Sequence, residues 1–329
     1  MATLSKNTDL NKTKAVKHLW KTGRRAASLP RQAAVKTQFP LRSAPTPHVV
    51  DPLPSKVGAN YDTEWARRPG ARLTRRVFLN TVWEPVITYY AEPTVRNADR
   101  LKALGGSGAI FASNHHSHAD TIVMMTALPK PWRNRLFIGG AADYFFTSRP
   151  TSVLSALFIG AVPISRTGIS RRTIEQPIKL LKKDWSMVIY PEGGRSQDGW
   201  AQDFKAGVAF LSKQSGAPVV PVHIDGTGSV MPKGQNWPTR AKVSVNFGQP
   251  MHMLEGETNQ QFTDRIEAAI ALLADENETD WWTARLRQAQ GQTPSLQGPE
   301  VSPWRRKWAT KSRRRVHAPS MRRKRWPFV

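Results

Sequence analysis

From about residue 71 to residue 288, this 329-residue chain alternates short apolar runs with stretches of helical periodicity, and no other feature limits its fold as much. The strand-like runs are Ala109–Ser113, Leu136–Gly139, Ala161–Ser165, Met187–Tyr190, Val219–Ile224 and Val243–Phe247. Helical patterns fall between or after them at Ala119–Leu128, Arg171–Lys183, Lys205–Ser215 and Gln261–Ala274. In the last, Phe262, Ile266, Ala269, Ile270 and Leu273 recur at helical spacing. Strand and helix in turn predict an α/β fold, a mixed, largely parallel sheet flanked by helices.

Charge separates this region from its flanks. Residues 1–76 carry 16 Lys and Arg against 4 Asp and Glu, and residues 302–329 carry 11 against none. The segment between them holds 22 against 20, so the net charge of +25 belongs to the two ends. Three parts are expected: a basic, Pro-containing, mostly disordered segment over 1–70, a folded domain over 71–288, and a basic, Trp- and Arg-rich tail over 289–329. The basic, nearly acid-free first 40 residues also have the texture of an organelle transit peptide.

The chain has no cysteine, which excludes a disulfide framework, a thiolate metal site and a cysteine nucleophile. No apolar run reaches the roughly 18 to 20 residues that span a bilayer. The longest, Val77–Ala91, contains Glu84 and Pro85 and suits a membrane surface better than its interior.

The run Asn114–Asp120 reads N-H-H-S-H-A-D and admits three readings. Ser117 and Asp120 have capping-box spacing ahead of the apolar Ile122–Met125, so Asp120 is a candidate helix cap. His115 and Asp120, five apart, cannot share a face of one regular helix. They meet only if His115 lies in the loop before the helix, where a carboxylate would orient the imidazole as a proton acceptor. The third reading is H-x-H-x-D, a metal shell from His116, His118 and Asp120 for a metal-dependent hydrolase, although Thr121 stands where such motifs continue with histidine.

Further along, Val188–Ser196 reads V-I-Y-P-E-G-G-R-S: an apolar strand enters a turn with a carboxylate, two glycines, Arg195 and Ser196. Glycines admit close backbone approach, and an arginine fork suits a phosphate. Gly160–Arg166 reads G-A-V-P-I-S-R, and Ala217–Val222 reads A-P-V-V-P-V. These four segments in this order resemble the glycerolipid acyltransferase family, which includes the lysophosphatidate acyltransferases. Asn114–Asp120 resembles its H-x4-D block, and Tyr190–Ser196 its F-P-E-G-T-R-S block, with Tyr190 in place of Phe and Gly194 in place of Thr. The resemblance covers roughly residues 75–275.

The resemblance implies acyl transfer from a thioester, acyl-CoA or acyl carrier protein, to the free hydroxyl of a lysophospholipid, with no cofactor and no metal. His115 would be the general base and Asp120 its orienting partner. Arg166, Glu192, Gly193, Gly194, Arg195 and Ser196 would form the phosphate-binding side, with the Gly193 and Gly194 amides as oxyanion donors. A lipid acceptor implies a peripheral enzyme on the cytoplasmic face of a membrane. Trp304, Trp308, Trp326 and Phe328, set among Arg and Lys, would contact an anionic surface. The same basic aromatic tail also suits nucleic acid, which would make the chain a non-enzymatic binding protein.

Overall fold

A computed structural model describes residues 57–165, 171–232, 234–235, 237–302, 304–306 and 309. All of them lie within one compact unit, Leu53–Val329. The N-terminal 56 residues, Arg166, Trp308, and the stretch with Trp326 and Phe328 lie outside the described residues, so the readings made on them are not addressed below.

Seven strands form one sheet in the order β1-β7-β6-β2-β5-β3-β4. They are β1 (Thr94–Arg96), β2 (Ile110–Ser113), β3 (Leu136–Ala141), β4 (Ala161–Ile164), β5 (Ser186–Ile189), β6 (Val219–Asp225) and β7 (Ser244–Phe247). Every neighbouring pair is parallel except β6 and β7. The mixed, largely parallel sheet is therefore as the alternating pattern predicts. The central strands are buried on both faces, which is why they read as unbroken apolar runs.

Alternate residues of each strand serve two separate cores. Phe111, Val188, Val220, Val222 and Phe247 pack with Ile122, Val123 and Met124 of α3 (Ala119–Ala127). That face is closed by α1 (Pro69–Phe78) and α2 (Glu84–Ala91), through Leu79, Ile87 and Ala91. On the other face Ile110, Ala112, Met187 and Val219 meet α4 (Arg171–Leu181), α5 (Gly207–Ser215) and α6 (Asn259–Glu278), with Phe262, Ile266 and Ile270 buried. Thr258 opens α6 with a reciprocal capping box to Gln261. A final helix, α7 (Trp281–Ala289), follows.

Two boundaries differ from expectation. Short 3-10 turns at Gly58–Asn60 and Glu64–Arg67 precede α1, so folded chain begins ahead of residue 71. At the other end, the chain past residue 288 still meets the domain at two points: Leu296 is buried, and Gly298 lies against the Trp200 indole. Trp200 and Phe204 are large apolar side chains on an irregular loop, and this segment removes them from water.

Just ahead of the run expected to suit a membrane surface, Val77–Ala91, an arginine is taken into the interior. Arg75 is buried and donates to the carbonyls of Ala66, Ala156 and Leu157, with its pKa lowered to about 10 by burial and by the nearby Arg67 and Arg72. It cannot touch a lipid headgroup, whereas Leu73 and Val77, two residues either side of it and so on the other side of the helix, are exposed. No helix among the described residues is long and apolar enough to cross a membrane.

Candidate active site

The site sits where β2 and β5 end side by side. The chain leaves β2 through α3 on one face of the sheet and leaves β5 through α5 on the other. Diverging connections open a crevice at the carboxyl ends of adjacent parallel strands, the usual place for a ligand in an open α/β sheet. The loop after β2 carries the histidine run, and the loop after β5 carries Tyr190–Ser196.

Asp120 lies in the first turn of α3 and is fully buried. Its Oδ2 accepts three hydrogen bonds: from the His116 and Ser117 backbone N–H groups at 2.8 and 2.9 Å, and it lies 2.9 Å from His115 Nδ1. One oxygen thus orients the histidine and ties down the two amides just ahead of α3, whose N-cap, His118, has no side-chain cap bond. Burial by itself would raise the Asp120 pKa, but the bond and charge of His115, the charge of His116 and the Ser117 amide outweigh it and hold the carboxyl below its ordinary value. With Asp120 ionised, Nδ1 carries the proton and the lone pair is on Nε2. The imidazole stacks on the Tyr190 ring at 4.0 Å and 14°, which sets its plane. Tyr190 in turn is partly buried, its hydroxyl 3.2 Å from Thr121 Oγ1.

Glu192 bridges the two loops of the site. Its Oε1 accepts the His115 N–H at 2.7 Å and its Oε2 the Gln202 N–H at 2.9 Å, so the carboxyl ties the two loops together and has no oxygen left to face a ligand. Burial pushes its pKa up to about 7 despite those two bonds, with the Asp120 charge adding to the rise. Ser196 is also turned inward: its N–H donates to the His115 carbonyl at 2.8 Å, and its hydroxyl accepts the Gly199 N–H at 2.8 Å. Gly193 stands at φ +70° and spends its N–H on the Tyr190 carbonyl, closing a turn over which Lys205 lies. Among the expected phosphate-side residues this leaves the Gly194 amide and the Arg195 guanidinium, neither of which is paired with a described residue.

The H-x-H-x-D reading does not converge. Asp120 directs its bonded oxygen at His115, and the His118 ring stacks on Tyr144 with Nε2 2.8 Å from its hydroxyl. Burial first, then Arg195 and His115, lower the His118 pKa to about 4, so this ring is neutral near pH 7. Among the described residues no three His, Asp or Glu gather as ligands for a metal ion.

Two supports were not legible as functional. Asn114 is buried and donates to the Ile224 carbonyl while accepting the Ile224 N–H, both at 2.8 Å, which clips the start of the histidine loop to β6. Ser117 Oγ donates to the Met231 carbonyl at 2.8 Å. Neither pattern leaves a trace in spacing, because the partners are backbone atoms about 110 residues away.

With the geometry in view, comparisons with known proteins are informative. A family model described as Acyltransferase matches residues 92–225. A chloroplastic 1-acyl-sn-glycerol-3-phosphate acyltransferase of Arabidopsis thaliana is 27% identical over 179 residues, covering 53% of this chain and 48% of that protein. A Streptococcus pneumoniae protein of the same description is 30% identical over 179 residues, covering 53% and 62%, and one from Bacillus subtilis is 29% identical over 161 residues, covering 49% and 74%. The chain thus spans about half to three fifths of the length of the first two. Among solved structures, that of the 1-acyl-sn-glycerophosphate acyltransferase PlsC from Thermotoga maritima has 21% identity and a TM-score of 0.47, over 64% of this chain and 80% of that one.

Proposed function

We propose that this chain, whose residues 92–225 match the Acyltransferase family model, is a glycerolipid acyltransferase that moves a fatty acyl group from a thioester donor to the free hydroxyl of 1-acylglycerol-3-phosphate, giving phosphatidate. The observation that carries the reading is the His115 imidazole, held through Nδ1 by a buried, ionised Asp120 and stacked on Tyr190, with its Nε2 side left for a reacting group.

In this mechanism Nε2 takes the proton of the acceptor hydroxyl as its oxygen attacks the thioester carbonyl carbon. The tetrahedral oxyanion is met by the Gly194 amide. Loss of one such donor typically costs on the order of 10² to 10³ in rate. Collapse breaks the C–S bond, and His115 returns the proton to the leaving thiolate, so no acyl-enzyme forms and no cysteine or serine nucleophile is needed. Arg195, with no described carboxylate beside it, supplies the charge for the acceptor phosphate, and Arg166 is proposed as its companion. His118, neutral at pH 7, adds no competing positive charge there. The donor is either coenzyme A or acyl carrier protein bearing the acyl group.

A lipid acceptor calls for a peripheral position on an anionic membrane surface at its cytoplasmic face. Trp304, 65% exposed on a short helical turn and stacked with Arg305 at 5.1 Å, supports that contact. Trp308, Trp326 and Phe328 are proposed to extend it.

The test is label transfer from acyl-CoA or acyl carrier protein into phosphatidate with lysophosphatidate as acceptor. His115→Ala is expected to lose roughly 10² to 10⁴ in kcat, and Asp120→Asn a comparable factor by freeing the imidazole tautomer. Wild-type rates retained by His115→Ala would remove the general-base assignment, and no transfer from either donor to any lysophospholipid would remove the reading.

A further inference from the structure

The sixteen residues from Tyr190 to Lys205 contain no helix or strand, and among them are Glu192, Gly194 and Arg195. A connection of this length in a compact domain must be held by something other than its own backbone ladder. The holding element comes from the far end of the chain, beyond the region matched by the family model.

Leu296 shares a buried apolar cluster with Ala201 and Phe204, and its carbonyl accepts the Ala201 N–H at 3.0 Å. Gln297 donates to Asp203 and Glu267 at 2.9 and 3.2 Å. Gly298, at φ +73°, lies against the Trp200 indole, whose ring leaves no room for a Cβ. Arg306 closes the segment: Nε donates to Asp198 Oδ2 at 2.8 Å, Nη2 to the Gln297 carbonyl at 2.9 Å, and Nη1 to the Pro299 carbonyl at 3.2 Å. Its own carbonyl accepts the Trp200 Nε1–H at 3.2 Å.

From there the connection runs to the base in few steps. Asp198 Oδ1 accepts the Trp200 N–H at 3.1 Å, the Gln202 N–H donates to Glu192 at 2.9 Å, and Glu192 accepts the His115 N–H at 2.7 Å. A half-exposed ion pair alone adds little stability. Here its geometry matters more, because a reacting group displaced by about 1 Å can lose on the order of 10² in rate.

We propose that residues 290–306 are a strap that sets the Tyr190–Lys205 loop against His115, with Arg306 as its positioning residue. The inference rests on the acyl-transfer reading for its kinetic part only.

The test uses the full chain with Arg306→Ala, Arg306→Lys and Gly298→Ala, following amide hydrogen exchange by mass spectrometry beside acyl transfer. Arg306→Ala is expected to speed exchange in peptides covering 196–202 and the His115 amide, and to lower kcat by roughly 10- to 100-fold with a smaller change in KM. Arg306→Lys, which keeps one bond to Asp198, recovers part of both. Gly298→Ala, which leaves the ion pair intact and pushes on Trp200, reproduces both. If exchange rises only within 290–306 while 196–202 and His115 stay protected, the strap positions nothing and the proposal fails; unchanged kcat with loosened loop amides also overturns it. Uniform exchange across β2 and β6 marks an unfolded variant, and Arg306→Lys then decides by the same criteria. A wild-type protein that transfers no acyl group but shows the expected exchange pattern sinks the acyl-transfer reading and leaves the strap standing.

Discussion

Two carboxyl groups lie against His115, and the same burial acts on them with opposite results. Asp120 receives the His115 imidazole and two amides on one oxygen, enough to hold its pKa below the ordinary value against burial. Glu192 receives two amides on two oxygens and no cation, and burial wins, moving it from 4.5 to about 7. For an acid raised in the folded state, the native protein binds more protons than the unfolded chain between those two values. Stability therefore falls as pH rises from 4.5 to 7 and levels off above. Glu192→Gln, which cannot ionise, should lack this component, so the stability difference between wild type and variant should shift by about 3 kcal/mol across the window in denaturant titrations. Parallel curves for the two proteins would show that Glu192 titrates normally. The motif marked Glu192 as important but not why, because its partners are backbone N–H groups whose direction only the folded loops define.

At the scale of elements, apolar runs located six strands and periodicity located four helices to within a few residues. Helices α1, α2 and α7 escaped, as did β1, three residues long and exposed throughout, which has no apolar pattern and exists because β7 offers it a parallel edge. The Asn114 clip escaped for a related reason: it joins β2 to β6 across two backbone groups of Ile224. Asn114→Ala should leave that buried N–H and carbonyl without partners and cost about 3 kcal/mol, read as a lowered unfolding midpoint. It should also loosen the histidine loop at its first residue. A midpoint within error of wild type would mean that water or a neighbouring group replaces the carboxamide.

The molecule as a whole separates its charge from its chemistry. The near-neutral middle forms the sheet and the site, and the basic residues concentrate at the two ends. Sedimentation of the full chain with vesicles should show binding to phosphatidylglycerol mixtures that weakens with salt, and little binding to phosphatidylcholine alone. Removing residues 310–329 deletes eight Lys and Arg while keeping the strap, and should reduce the anionic binding without altering exchange in the loop. Equal binding to both vesicle types, or none, would place the basic tail's partner elsewhere.

Taken alone, the amino-acid sequence determined the α/β class and the parallel core, because these depend on local periodicity and on runs buried on both faces, and it offered the His115–Asp120 pair as one of three readings of a motif spanning seven residues. Only the tertiary structure decided the division of labour around that pair. Whether a carboxyl, hydroxyl or glycine amide faces a ligand or the protein depends on backbone atoms brought in from distant segments. By that criterion Glu192, Gly193 and Ser196 build the loop, and Leu296 and Gly298, which composition alone assigns to a basic tail, become part of the packing because Leu296 is buried with Ala201 and Phe204 and Gly298 lies on Trp200.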